Sequence, residues 1–177
     1  MRIIRGIWKG RRINPPKNLP VRPTTDIAKE ALFNVLENSY DFEELKILDL
    51  FAGTGSISYE FASRGAQKVT AIEQNSRCIE FINKTKEALQ IKSLQAIRYD
   101  VFLFAAKTAE KFDLIFADPP YDCDELATLP NLIFENDLLN EDGVFVLEHP
   151  IEYDFESHSN FFQHRKYGKV NFSFFKK

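Results

Sequence analysis

The order of apolar and helix-like segments predicts a single α/β domain built on a doubly wound, mostly parallel sheet. Three observations lead there. Five short runs read as strands: KILDLF from residue 46, KVTAIE from 68, QAIRYD from 95, FDLIFAD from 112 and GVFVLEH from 143. Helix-like stretches separate them, over 56–64, 76–89, 102–109 and 125–139, and strands alternating with helices imply parallel pairing through right-handed crossovers. The 177 residues show no internal repeat, no low-complexity segment and no linker long enough to divide them, which fits one core.

Taken in order, the first segment RIIRGIWKGRRIN alternates aliphatic and basic residues around Lys9-Gly10. That pattern suits a two-stranded ribbon with a glycine-assisted turn. Pro15, Pro16, Pro20 and Pro23 then interrupt regular structure. Thr24-Thr25-Asp26 can cap a helix over 26–38, with Ile27, Ala31, Leu32, Val35 and Leu36 at helical spacing. The expected organisation is a basic extension over 1–25 and a main domain over 26–177. Gly65 closes the helix over 56–64. The final FFQHRKYGKVNFSFF follows without a helical spacer, so it is expected to add antiparallel strands at one edge.

The net charge of −3 hides a segregation. Residues 1–25 carry seven Lys or Arg and no acid, and the last fourteen carry five and no acid. The stretch 26–163 holds 11 basic against 26 acidic residues, a net of −15. Basic ends on an acidic body suit phosphate contacts, here through Arg2, Arg5, Lys9, Arg11, Arg12 and Arg22. No apolar run is long enough to span a membrane, and MRIIRGIWKG lacks the apolar stretch of a signal peptide, so a cytoplasmic protein is expected. Cys78 and Cys123 have no CxxC spacing, and His149, His158 and His164 no ligand spacing, so no disulfide framework and no metal are expected.

Ligands of open parallel sheets bind at the carboxyl ends of the strands. Asp49-Leu50-Phe51-Ala52-Gly53-Thr54-Gly55-Ser56 lies between a strand and a helix. Its glycines allow close backbone approach and would expose helix N-terminal amides to a carboxylate, while Asp49 pairs with an ammonium. Ser58 stands where a dinucleotide fingerprint would have a third glycine. Glu73, followed by Gln74, ends the next strand and suits a ribose diol; Asp100-Val101 ends the third and suits an adenine amine. An amino acid, a ribose and an adenine in order describe S-adenosylmethionine.

Asp118-Pro119-Pro120-Tyr121 is the sharpest signal. Two prolines after a buried strand force a rigid extended turn and leave carbonyls directed into the cleft. The nitrogen of a base amine is a poor nucleophile because its lone pair is delocalised. If Asp118 and the Pro119 carbonyl accept its two hydrogens, the lone pair is held toward a methyl donor and the positive charge that develops is stabilised. Tyr121 offers a ring on which an extruded base can stack.

These residues resemble the class I, Rossmann-like methyltransferases. The opening RIIRGIWKGRRI followed by RPTTD, together with the closing RKYGKVNFSFF, resembles the bacterial RsmD family, which methylates the N2 of a guanine in small-subunit ribosomal RNA. The resemblance implies a seven-stranded sheet with its last pair antiparallel, and S-adenosylmethionine held at Asp49, Gly53, Gly55, Glu73 and Asp100, with Phe51, Ala52, Thr54, Gln74 and Val101 beside them. It also implies catalysis at Asp118 to Tyr121. Arg2, Arg5, Lys9, Arg11, Arg12, Arg22, Thr24 and Thr25 are the expected contacts to ribosomal RNA, in the small subunit or an assembly intermediate. One departure is Ile7, where the family usually has a second glycine after Gly6. Competing readings are DNA adenine-N6 methylation, for which a base-reading domain is missing, glutamine methylation, which prefers Asn at position 118, and a non-catalytic RNA-binding factor.

Overall fold

In a computed structural model, which describes residues 1–17, 19 and 26–177, seven strands form one sheet. They are β1 (Lys46–Leu50), β2 (Lys68–Glu73), β3 (Leu94–Arg98), β4 (Phe112–Ala117), β5 (Leu139–His149), β6 (Phe161–Tyr167) and β7 (Val170–Lys176). The order is β3-β2-β1-β4-β5-β7-β6. The first five pair in parallel, and β7 joins β5 and β6 antiparallel. Order reverses between β1 and β4, which is the switch point where ligands of such sheets sit.

The helices are α1 (Asp26–Glu37), α2 (Ser56–Ser63), α3 (Ser76–Leu89), α4 (Val101–Lys107) and α5 (Leu129–Glu135). The Asn75 side chain caps α3 through the amides of Arg77 and Cys78. Two differences from the sequence reading have local causes. The helix expected over 125–139 is a 3-10 turn (Leu126–Thr128) followed by the short α5, with Pro130 in its first turn. It ends before Asp137, whose φ of 53° turns the chain directly into β5 at Leu139. The apolar face of α1 is also rotated: Leu32, Phe33 and Leu36 are buried, but Ile27 is 80% exposed and Lys29 is buried instead.

The N-terminal segment folds against the domain rather than beside it. Among the described residues its one antiparallel bridge pairs Arg2 with Arg12, so the expected two-stranded ribbon is reduced to a bridged loop. Ile3 and Ile13 enter the same apolar cluster as Phe33, Phe61 and Val69. Gly6, at φ +83°, explains why one glycine suffices: a Cβ there would meet the Ser63 carbonyl oxygen at 1.8 Å. Ile7 is 77% exposed, so its side chain needs no room, while its amide donates to that same carbonyl at 2.8 Å.

Glu60 of α2 holds this arrangement together. Its carboxylate accepts from the amides of Ile4 at 2.8 Å and Arg5 at 3.0 Å, and it pairs with Lys29 at 3.6 Å and Arg64 at 2.7 Å. The side chains of Lys29, Glu60 and Arg64 are all buried, and Arg64 also lies over the Phe33 ring, 4.4 Å from its centroid. Burial lowers the Lys29 pKa, against the pull of Glu60 and Asp26. Breaking such a buried network leaves Lys29 without its carboxylate, while Arg64 keeps Glu37, at a cost of about 3–5 kcal/mol. Glu60→Ala should therefore lose about that much stability in chemical denaturation, whereas Arg5→Ala, which removes only a largely exposed pair with Glu37, should lose under about 1 kcal/mol.

Candidate functional site

The carboxyl ends of β2, β1, β4 and β5 are neighbours in the sheet. Side chains alternate along a strand. Asp49 therefore shares its face with Ile47, Glu73 with Val69 and Ala71, and Glu148 with Val144 and Val146, all apolar residues of one cluster. Asp118, one residue beyond β4, continues the line of Leu114 and Phe116. Pairing of Leu50 with Ala117, and of Ala117 with Leu147, brings the strand ends level. The result is a row of four acids along one sheet edge, and their charges act on one another.

Asp49 is 1% exposed and accepts a hydrogen bond from the Ser58 hydroxyl, so the residue at the missing-glycine position orients this carboxyl. Burial pushes Asp49 up to about 7; the Ser58 bond opposes the shift, and the charges of Asp118 and Glu73 add to it. Glu73 accepts from the Gly53 amide at 2.9 Å and the Asn75 amide at 2.7 Å. The Gly53 amide, expected to face a ligand carboxylate, is thus engaged by Glu73. A carboxylate accepts at about four lone-pair positions, so Glu73 keeps capacity for a diol.

The turn from Phe51 to Gly55 is held tightly. Phe51 is left-handed at φ 60° and packs edge-on against Phe102. The Ala52 amide donates to the Ile72 carbonyl at 3.0 Å. A Cβ at Gly55, φ +79°, would lie 2.9 Å from the Tyr59 ring. Thr54 is buried with its hydroxyl on the Met1 sulfur at 3.5 Å. Asp100 caps α4, accepting from the Leu103 amide at 2.9 Å, and Val101 is buried behind it. Gln74 is exposed, its carbonyl accepting from the Arg98 Nε at 3.2 Å.

At the end of β4, Asp118 is half-buried, Pro119 buried and Pro120 exposed. The Pro120 carbonyl turns back to accept from the Cys123 amide at 2.9 Å, so it is engaged within the turn. Tyr121 is 55% exposed; partial burial, Glu148 and Asp118 together raise its pKa. Sequence patterning did not single out Glu148. It is 5% exposed, its Oε2 has no hydrogen-bond partner among the described residues, and burial together with Asp118 pushes it up to about 9. The available signal was its place: GVFVLEH carries an acid next to its end, as KVTAIE and FDLIFAD carry one at the end and KILDLF carries one two residues before it.

The basic N-terminus divides in two. Arg2 pairs with Asp26 at 3.7 Å and Arg5 with Glu37 at 2.8 Å, so both have partners within the chain. Lys9, Arg11 and Arg12 stand exposed around the turn. Arg22, Thr24 and Thr25 lie outside the described residues.

Acceptor groups line the sheet edge, and they suit a ligand that brings an ammonium, a sulfonium and a ribose diol. With the strand order and the glycine turn, they define a Rossmann-like class I methyltransferase dependent on S-adenosylmethionine. The chain belongs to the family described as conserved hypothetical protein 95, whose model matches residues 1–176, the RsmD family that its motifs resemble. Among its relatives, the ribosomal RNA small subunit methyltransferase D of Haemophilus influenzae is 33% identical over 152 residues, covering 84% of this chain and 78% of the relative. The solved structure of Escherichia coli yhhF superposes with a TM-score of 0.88 at 26% identity, over 100% of this chain and 97% of that one. The Thermus thermophilus 16S rRNA N2 G1207 methyltransferase, solved with AdoMet and guanosine, gives 0.73 at 25% identity over 90% of this chain and 45% of that one.

Raised carboxyl pKa values make stability depend on pH with a defined sign. Folded Glu148 keeps a proton that the unfolded chain releases above about 4.5, so its contribution is full below that pH and is lost as pH rises through about 9. Urea titrations should find wild-type stability falling from pH 5 to 9, with a shallower fall for Glu148→Gln; parallel curves for the two proteins would refute this origin.

Proposed function

We propose that this enzyme methylates the exocyclic N2 of a guanine in small-subunit ribosomal RNA, in the cytoplasm, acting on the small subunit or an assembly intermediate. The observation that carries the reading is Asp118-Pro119-Pro120-Tyr121 at the end of β4, between Asp49 and Glu148 in a row of acceptors. The names of the Haemophilus and Thermus relatives support RNA and guanine as the class of substrate.

S-adenosylmethionine, when bound, supplies an electrophilic methyl group on a sulfonium, and direct displacement at that carbon needs no metal. The residues proposed to hold it are Asp49 for its ammonium, Glu73 for its ribose and Asp100 for its adenine amine, with Phe51, Ala52, Gly53, Thr54, Gly55, Gln74 and Val101 shaping the walls. Asp118 and the Pro119 carbonyl accept the two hydrogens of the guanine amine, and this directs the nitrogen lone pair at the methyl carbon. As the nitrogen turns positive the same acceptors stabilise it, and Asp118 takes the proton that the product must lose. Pro120 keeps the turn rigid, and Tyr121 stacks the extruded base.

Lys9, Arg11 and Arg12 are proposed to contact phosphates, with Arg22, Thr24 and Thr25 continuing the surface; Arg2 and Arg5 act chiefly by fixing the segment to α1. Phosphate contacts position the RNA and carry little base information, so base choice falls to the pocket.

Three measurements test this reading. Nucleoside mass mapping should find N2-methylguanosine in small-subunit RNA only when the gene is present, and Asp118→Ala should slow turnover roughly a hundredfold with little change in cofactor affinity. N6-methyladenine in DNA, or near-normal turnover of that variant, would overturn it. Replacing Lys9, Arg11 or Arg12 singly by Ala should lower the salt slope of RNA binding by about 0.7 to 0.9 for each phosphate the side chain had neutralised, with cofactor binding measured by calorimetry unchanged.

A further inference from the structure

Glu148 is buried at the functional end of the sheet and has a carboxyl oxygen without a partner among the described residues, an arrangement costly enough that native structures rarely keep it without a use. Its neighbours explain why the cost is not relieved. In the sheet it is flanked on one side by Phe172 of β7, which cannot donate, and on the other by the end of β4, where Asp118 adds a like charge. Glu148 also acts on Tyr121, whose ionisation it opposes.

Adjacent strands lie roughly 4.8 Å apart, and Asp118 and Glu148 follow the paired Ala117 and Leu147 on two such strands, a backbone spacing comparable with the span of the pairing edge of a base. That edge of guanine runs N2-amine, N1–H, O6. We propose that Glu148 reads the N1–H and O6 of the target guanine while Asp118 and Pro119 hold its N2 amine. The inference rests on guanine being the substrate and assigns how the pocket recognises it.

The protonation state suits the task. Burial and the Asp118 charge keep Glu148 protonated at neutral pH, with one O–H donor and one C=O acceptor. A carboxylic acid and a lactam are complementary, the acid accepting from N1–H and donating to O6. Adenine offers the reverse arrangement next to its amine, a bare ring nitrogen and no oxygen, so it fits the pair of carboxyls poorly. Docked beside Tyr121, guanine supplies the partner that Glu148 lacks, and a site whose polar groups are satisfied only by the right base rejects analogues strongly.

The test replaces the guanine that the wild-type enzyme methylates with 2-aminopurine in a ligated ribosomal RNA fragment. This analogue keeps the 2-amino group and lacks both O6 and the N1 proton. Wild-type enzyme should prefer guanine in kcat/KM by roughly tenfold to a hundredfold. Glu148→Leu should lose most of that factor on guanine and less than about threefold on 2-aminopurine, so the preference collapses. Glu148→Gln, whose amide carries the same donor and acceptor, should restore the preference. Equal losses by Glu148→Leu on both substrates, or a Glu148→Gln variant no better than the leucine variant, would overturn base reading by Glu148 and leave the guanine assignment standing. A wild-type enzyme that methylates no guanine would overturn both.

Discussion

Four carboxyl groups share one face of one sheet at the ends of four adjacent strands, and the properties of the site follow from burying them side by side. Like charges about one strand spacing apart and shielded from water cannot all ionise. Burial is the larger cause and lifts the two most buried acids of the row, Asp49 to about 7 and Glu148 to about 9, and the charge of Asp118 adds to both. The row depends on register, because a slip of one residue in any strand would send its acid to the opposite face and an apolar side chain into the cleft. The same alternation that aligns Ile47, Val69, Leu114 and Val144 in the core beneath aligns the acids above them.

Charge segregation along the chain acquires a structural meaning once Glu60 is in view. The basic N-terminus is docked through two of its own backbone amides onto a buried acid, which also neutralises Lys29 and Arg64. Its apolar residues fill the core, and its first two arginines are paired within the chain. What faces outward is the tip with Lys9, Arg11 and Arg12. The surface offered to a polyanion is thus smaller than the count of basic residues suggests, and it is fixed to the rigid body that carries the acidic row.

β1, β2, β4 and β5 were legible in the sequence because central parallel strands read as nearly unbroken apolar runs, and the acids closing β1, β2 and the β4 turn interrupt those runs visibly; β3, at the sheet edge with only Leu94 buried, carries a weaker signal. The antiparallel final pair followed a local rule of the same kind, the absence of a helical spacer. Glu148 was not legible as a site residue. Its meaning depends on β5 lying beside β4 and on Phe172 lying beyond it, which are facts of sheet order rather than of spacing. Lys29 escaped for a similar reason: a lysine on a helix reads as solvated until a buried acid from another element is known to meet it. Ser58 spoke in the sequence only against a dinucleotide motif, and in the structure it also orients Asp49.

An acidic row that is partly protonated before any ligand arrives couples binding to protons. A cation placed against Asp49 would favour its ionised form, so a group near 7 would give up its proton, and by linkage such a cation would bind more tightly as pH rises through that value. Glu148 lies further along the row and higher in pKa, and a base bearing no full charge gives it less reason to ionise. One sheet edge therefore divides between an end poised to become a carboxylate against a cation and an end that stays a neutral acid able to donate and accept. This division matches the two halves of a methyl transfer from a charged donor to a neutral base, and it arises from the order of the strands and the burial of each acid.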